Sequence, residues 1–266
     1  MLASPWIAAL LALFLWWFFT GAILWAVNSR EGKFPGPLAY GLPMLAFGIF
    51  GYGAAVNDSS VGGAYLGFLA ALALWGWIEL AFLAGKVTGP NQQPCPQGIS
   101  EKERFSQAWA TIAYHELLLA GALAVLIFWS EGADNRVGLW TFGILFLARV
   151  SAKLNLFLGV PRFHTELLPP ALSHLPSYFK RARMNLLFPV SVVLLTYGVT
   201  SWLDRTNAAT DPAEVVRCAL MASLTALALL EHLLMVLPIP DDRLWRWMIP
   251  ATKPNKRLIG EDPHGL

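Results

Sequence analysis

Long apolar runs, broken by proline, glycine and short polar connectors, dominate this chain. Seven of them reach about 18 residues or more, the length that marks a membrane-spanning helix. They cover roughly residues 5–27, 37–56, 61–85, 105–130, 137–159, 184–203 and 214–239. Helix-interrupting residues mark the exits, as at Pro35-Gly36-Pro37, Gly89-Pro90, Gly159 with Pro161, and Pro238 with Pro240. Asp211-Pro212 reads as a helix start, with Asp211 as N-cap and Pro212 in the first turn. Gly63 and Gly67 form a small-xxx-small pair that lets a neighbouring helix approach closely. The pattern predicts an all-α integral membrane protein of about seven transmembrane helices, a single polytopic domain over 1–266 without internal repeats.

Composition agrees. Only 14% of residues are charged against 56% hydrophobic, where soluble domains carry roughly 25% charge. The sign of the charges orients the chain. The connectors at 28–36, 86–104 and 160–183, together with the tail from 240 to 266, hold fourteen of the nineteen Lys and Arg. The opposite face receives three, Arg136, Arg205 and Arg217. The positive-inside rule then places the N-terminus in the periplasm and the C-terminus, with the tail 240–266, in the cytoplasm. No positive segment precedes the first apolar run, which reads as a retained helix and not a cleaved signal. The twelve Trp lie mostly near run ends and suit an interfacial belt better than a ring-stacking role. Cys95 and Cys218 fall on opposite sides of this topology, which excludes a disulfide between them. Nucleic acid is not an expected partner, because the basic residues skirt one membrane face and form no helical stripe.

Two cations stand where charge is costly. Arg149 and Lys153 sit inside the fifth run, four residues apart and on one helix face. Glu79, His115, Glu116, Glu231 and His232 are the other ionisable groups within the runs. Each costs at least about 2–3 kcal/mol at mid-membrane, so such groups normally face a bundle interior, pair together and mark function. At about 1.5 Å per residue, Glu79, His115, Glu116, Lys153, Glu231 and His232 all fall about 10–15 Å from the cytoplasmic ends of their runs. Four helices thus offer polar groups at one level. His115-Glu116 and Glu231-His232 are adjacent pairs, whose side chains diverge by about 100°. Only one member of each points straight at a shared centre.

The fifth run leaves the membrane through Gly159-Val160-Pro161 into the longest connector, 160–183, which carries His164, Glu166 and His174 and is cut by prolines. It reads as a cytoplasmic interfacial loop that covers the polar layer, anchored by Tyr178, Phe179 and the basic residues Lys180, Arg181 and Arg183. His115, Glu116, Arg149, Lys153, His164, Glu166, Glu231 and His232 are the candidate ligand-binding set. Three chemistries suit these residue types. Carboxylates balanced by Arg149 and Lys153 could form the floor of a pocket, or a purely structural ion-pair network. Alternatively Glu79, His115, Glu116, Glu231 and His232 could hold a di-iron centre of the kind built in helical bundles, giving a membrane oxidoreductase or hydroxylase acting on a tetrapyrrole or lipid. The Glu-x-x-His spacing of soluble di-iron bundles is absent, and two cations in the layer oppose a metal. Between the first two chemistries, the covering loop favours cations held for a ligand.

The stretches YHELLL at 114–119, SAKLNLFLGVPRFHTELLP at 151–169, HLPSYF at 174–179 and LEHLLMVLPIPDDRLWRW at 230–247 resemble photosynthetic complex assembly proteins of the PuhE type, from purple phototrophic bacteria. That resemblance covers nearly the whole chain. It implies a multi-pass protein of the bacterial inner (intracytoplasmic) membrane that assists biogenesis of the reaction centre and light-harvesting complexes. Implied partners are reaction-centre or antenna subunits or pigment-synthesis enzymes, and the implied cargo is bacteriochlorophyll or another tetrapyrrole. A tetrapyrrole accepts an axial His and, before esterification, presents carboxylates to Arg or Lys. His115 or His232 with Arg149 and Lys153 fit such a ligand. The resemblance assigns no catalytic residue.

Overall fold

The computed structural model describes residues 2–30, 36–163 and 168–237. Among these, seven helices are long and apolar enough to cross a membrane. They are α1 (Pro5–Arg30), α2 (Pro37–Ala55), α3 (Val61–Leu83), α4 (Glu101–Trp129), α5 (Val137–Leu158), α6 (Leu187–Ala208) and α7 (Pro212–Leu234). Two short 3-10 turns, Pro170–Leu172 and Leu175–Tyr178, lie between α5 and α6. The described chain contains no β-strand. Large apolar side chains cover the outside, with Phe50, Phe128 and Tyr197 all more than 70% exposed. A soluble fold does not carry such a surface, and a lipid-facing bundle must.

Capping explains where the helices begin. Ser60 accepts from the Gly63 N–H and starts α3, and Asp211 accepts from the Glu214 N–H and starts α7 at Pro212, as expected. α4 starts at Glu101, a turn earlier than its apolar run. Ser100 accepts from the Glu103 N–H there, and Glu101 and Glu103 suit the positive end of the helix. α6 starts at Leu187 and not at 184, because the side-chain oxygen Oδ1 of Asn185 accepts from the N–H groups of Leu187 and Phe188. α7 ends at Leu234, short of the expected 239.

Two helices carry the core. α3 and α7 are buried along most of their length, between α1 on one side and α5 on another. Ala8 and Ala12 of α1, Phe68 of α3, and Val216 and Leu220 of α7 meet in one apolar cluster. Tyr52 of α2, Ala70 and Ala71 of α3, Leu119 of α4 and Phe142 of α5 form a second. A third lies at one end, where Phe82 of α3 packs under Leu172 and Leu175 of the 3-10 turns.

That end is closed by a stitched cap. Gly159 takes φ of +123° to turn the chain out of α5, and a Cβ there would meet Ala182 at 2.8 Å, so glycine is required twice over. Val160 and Lys180 then run side by side: the Val160 N–H donates to the Lys180 carbonyl, and the Lys180 N–H to Leu156. The Arg162 N–H donates to the Met235 carbonyl and ties the cap to α7. Arg104 reaches from α4 to the carbonyls of Tyr178 and Phe157 at 2.7 and 3.1 Å.

Candidate functional site

Beneath this cap lies a cavity of about 690 Å³, within the range of small-molecule sites. The segment read from sequence as lining and cover contributes about half of its wall, from Arg149 and Lys153 on α5 through Arg162 and Phe163 to Tyr178 and Phe179 on the cap. α4 supplies Phe105, Trp109, Glu116 and Leu117, α3 supplies Phe82, α1 supplies Trp16, and α7 supplies Glu231. The expected polar site is therefore an aromatic chamber with a charged inner wall.

Four of the ionisable groups meet across helices in two specific pairs. Arg149 donates to the Glu79 carboxylate at 2.7 Å. Lys153 donates to Glu116, joining α5 to α4. Both cations are thus balanced by carboxylates of this chain without any ligand. Lys153 also sits 5.3 Å from the centre of the Phe82 ring, whose face attracts a cation.

The adjacent pairs divide as helix geometry requires. Glu116 and Glu231 line the cavity, while His115 and His232 lie behind its wall. His115 is fully buried, its ring 4.3 Å from that of Phe82 and its Nε2 3.6 Å from the second oxygen of Glu79. His232 donates through Nδ1 to the Ala228 carbonyl, and its Nε2 lies 2.9 Å from the Ser151 hydroxyl. Ser151, Ser191 and Asn155 continue that hydrogen-bonded chain toward α6. Glu231 accepts a 2.7 Å hydrogen bond from the Trp16 indole N–H. His164 and Glu166 lie outside the described residues.

These positions test the candidate ligands. Among the described residues, no three of His, Cys, Asp and Glu gather where one metal ion would sit. Glu79 and Glu116 are turned toward cations and His232 toward Ser151, so the set Glu79, His115, Glu116, Glu231 and His232 does not fit a di-iron centre. A tetrapyrrole would meet aromatic side chains there. Neither His115 nor His232 reaches the cavity to serve as its axial ligand, and the lining groups Arg149, Lys153, Glu116 and Glu231 are the ones a bound molecule would meet.

Reading the Trp residues as an interfacial belt misses Trp16 and Trp109, which face the cavity. Trp16 stands mid-helix in α1, a placement that a belt does not explain. Ser151, Asn155 and Ser191 also went unread, although neutral polar residues in apolar helices are a recognisable signal. At the cap, burial pushes the His174 ring below its ordinary 6.5, and its Nε2 has no hydrogen-bond partner among the described residues. Burial likewise raises the Tyr178 phenol, against a hydrogen bond from Asn91 that lowers it.

Comparison with known proteins covers nearly the whole chain. Residues 2–256 match the family described as "Protein of unknown function (DUF3623)". A Rhodobacter capsulatus protein, "Uncharacterized 30.4 kDa protein in puhA 5'region", is 47% identical over 98% of this chain and 97% of its own length. No solved structure matches.

Proposed function

This chain belongs to the DUF3623 family, and we propose that it is a non-enzymatic biogenesis factor for the photosynthetic reaction centre and light-harvesting complexes. It handles bacteriochlorophyll or a precursor in the cavity under the cap. The observation that carries this reading is the chamber itself: aromatic walls from four helices and the cap surround a wall of charged groups within the membrane. The setting comes from the relative, whose gene lies in the puhA region of a photosynthetic bacterium, and from the PuhE-type resemblance. In this reading the host membrane is the bacterial inner membrane, and the cap faces the cytoplasm and the N-terminus the periplasm, an orientation that the fourteen-to-three division of Lys and Arg supports. Flat rings lie against Trp109 and Phe146, while the ion pairs join α5 to α3 and α4 at that depth.

The protein purified in mild detergent from a pigment-making host should retain tetrapyrrole absorbance, and pull-downs should bring photosynthetic subunits or pigment enzymes. A colourless preparation that captures neither sinks the proposal. A deletion strain should accumulate unassembled pigment or lose antenna complexes, and identifying that pigment would name the cargo.

A further inference from the structure

Charge is spread unevenly over the face opposite the cap. Its connectors and helix ends hold six carboxylates, Asp58, Glu131, Asp134, Asp204, Asp211 and Glu214, and three cations, Arg136, Arg205 and Arg217. All three arginines line one pocket of about 260 Å³, while only Asp134 and Glu214 of the carboxylates join them on its wall. The arginines come from three places in the chain: the α4–α5 turn, the last turn of α6 and the first half of α7.

One of these cations is already engaged. Arg217 donates to Glu214 at 3.5 Å and to the Ser59 carbonyl, and the other Glu214 oxygen accepts from the Cys218 thiol at 3.4 Å. Arg136 and Arg205 are not: among the described residues no carboxylate lies within ion-pair distance of either. Arg205 instead stands 5.3 Å from the centre of the Trp202 ring, and Trp202 meets Trp140 edge to face at 6.1 Å. Asp134 forms no ion pair with a described residue either. With Glu214 and Arg217 matched, the wall therefore carries two free cations against one free carboxylate. α5 and α7 begin at this pocket and α6 ends there, so helix dipoles of both signs meet and the guanidinium groups set the sign of the site.

Depth along the helices says what this pocket meets. α5 starts at Val137, one residue beyond Arg136, and α6 ends at Ala208, three residues beyond Arg205. Both guanidinium groups thus sit at the ends of their spans, the level of lipid headgroups, where Trp140 and Trp202 suit an interfacial wall. Guanidinium binds phosphate oxygens through paired N–H donors and is weakly hydrated, which lowers the cost of a partly dry site. The four carboxylates outside the pocket disfavour an anion elsewhere on this face. We infer that the pocket is a phosphate-binding site, in which Arg136 and Arg205 hold the phosphate group of a phospholipid headgroup or a free phosphate against Trp140 and Trp202. A bound phosphate ties the α4–α5 turn to α6. The site is separate from the cavity under the cap, and its volume falls below the roughly 300 Å³ at which sites for larger ligands begin.

The test uses the full chain in a neutral detergent, with bound molecules counted by native mass spectrometry. The probes are short-chain phosphatidylglycerol, the matching diacylglycerol without phosphate, and inorganic phosphate. One phosphatidylglycerol per chain should bind at least about ten-fold more tightly than diacylglycerol, the worth of one charge-assisted contact. Arg136→Gln and Arg205→Gln should each weaken that one lipid by about the same factor. Lys102→Gln removes a charge at the capped end and should leave it unchanged. Arg136→Lys and Arg205→Lys keep the charge without the paired donors, so they should bind with intermediate affinity, and they serve where a Gln variant does not fold. Inorganic phosphate that displaces the lipid supports the site and shows that the free anion suffices. Lipid that phosphate cannot displace, lost only in the arginine variants, supports the site and assigns it to headgroups. Diacylglycerol bound as tightly as phosphatidylglycerol, affinity unchanged in both arginine variants, or an equal loss in Lys102→Gln overturns the inference.

Discussion

The two ends of this helical bundle are held together by different physics. At the end carrying the α2–α3 and α4–α5 turns, the helices close on small residues. A Cβ on Gly138 of α5 would lie 2.6 Å from the Tyr52 ring and 3.0 Å from the Gly67 carbonyl. The buried polar side chains between these helices, Tyr52, Ser130 and Asn135, are neutral and satisfied at short range, and the ion pair of Glu214 with Arg217 stands outside them at the start of α7. Tyr52 meets Ser130 at 2.6 Å, and the Asn135 amide donates to the carbonyls of Ala55 and Asp58 while accepting from the Val137 N–H. At the capped end the helices part around the cavity, and the helix pairs that border it are joined by charge: α3 to α5 through Glu79 and Arg149, α4 to α5 through Glu116 and Lys153. Close packing in lipid depends on shape, since water provides no driving force between helices. A chamber gives up that contact area, and paired charges with stitched loops replace it.

This contrast predicts which substitutions each end tolerates. The largest effect is expected at the capped end, from Lys153→Met. Lys153 is 20% and Glu116 7% exposed in their side chains, so the change strands a nearly buried carboxylate. The loss should be about 3 kcal/mol, near the low end for a broken buried pair because Lys153 is partly accessible. Denaturation in mixed micelles measures it, and adding Glu116→Gln should recover most of the loss. Failure of that second change to rescue would show that charge pairing does not hold this end.

At the other end, Gly138→Leu should cost about 2 kcal/mol by overpacking against Tyr52 and Gly67. No charge change should rescue it, and the cavity's ligand binding should persist under conditions where the protein stays folded. Equal loss of binding and fold would mean that the two ends are one cooperative unit.

The smallest effect concerns the cap. The folded pKa of His174 lies below its ordinary value because burial disfavours the charged ring. Below about pH 6.5 the unfolded segment takes up a proton that the folded cap resists, so cap stability is complete above that pH and falls as pH is lowered. Amide protection factors of residues 168–182, taken relative to the intrinsic exchange rate at each pH, should fall between pH 7 and roughly pH 5, and His174→Gln should flatten that dependence. An unchanged profile in His174→Gln would assign the acid sensitivity elsewhere.

Much of this was legible in the chain. Span number and approximate limits followed from apolar length, and six of the ionisable groups fell at one depth by counting residues from the run ends. The misplaced boundaries have local causes: the start of α4 is set by Ser100 and Glu103, and that of α6 by Asn185, polar signals that an apolarity scan passes over. The segment from Arg149 to Phe179 could be read as lining because its charges and prolines break the membrane pattern. The aromatic half of the chamber could not, since Phe82, Trp109 and Phe146 look in sequence like any lipid-facing residue.

What the amino-acid sequence determined alone was the membrane class, the seven helices, the placement of charge in a single layer and the division of Lys and Arg between faces, because each depends on one-dimensional length and spacing. What only the tertiary structure decided was pairing. A residue's depth is set by its position along a helix, but its neighbour is set by how helices rotate and pack. That rotation gave Arg149 to Glu79 and Lys153 to Glu116, turned His115 and His232 behind the wall, and left Glu231 facing the cavity.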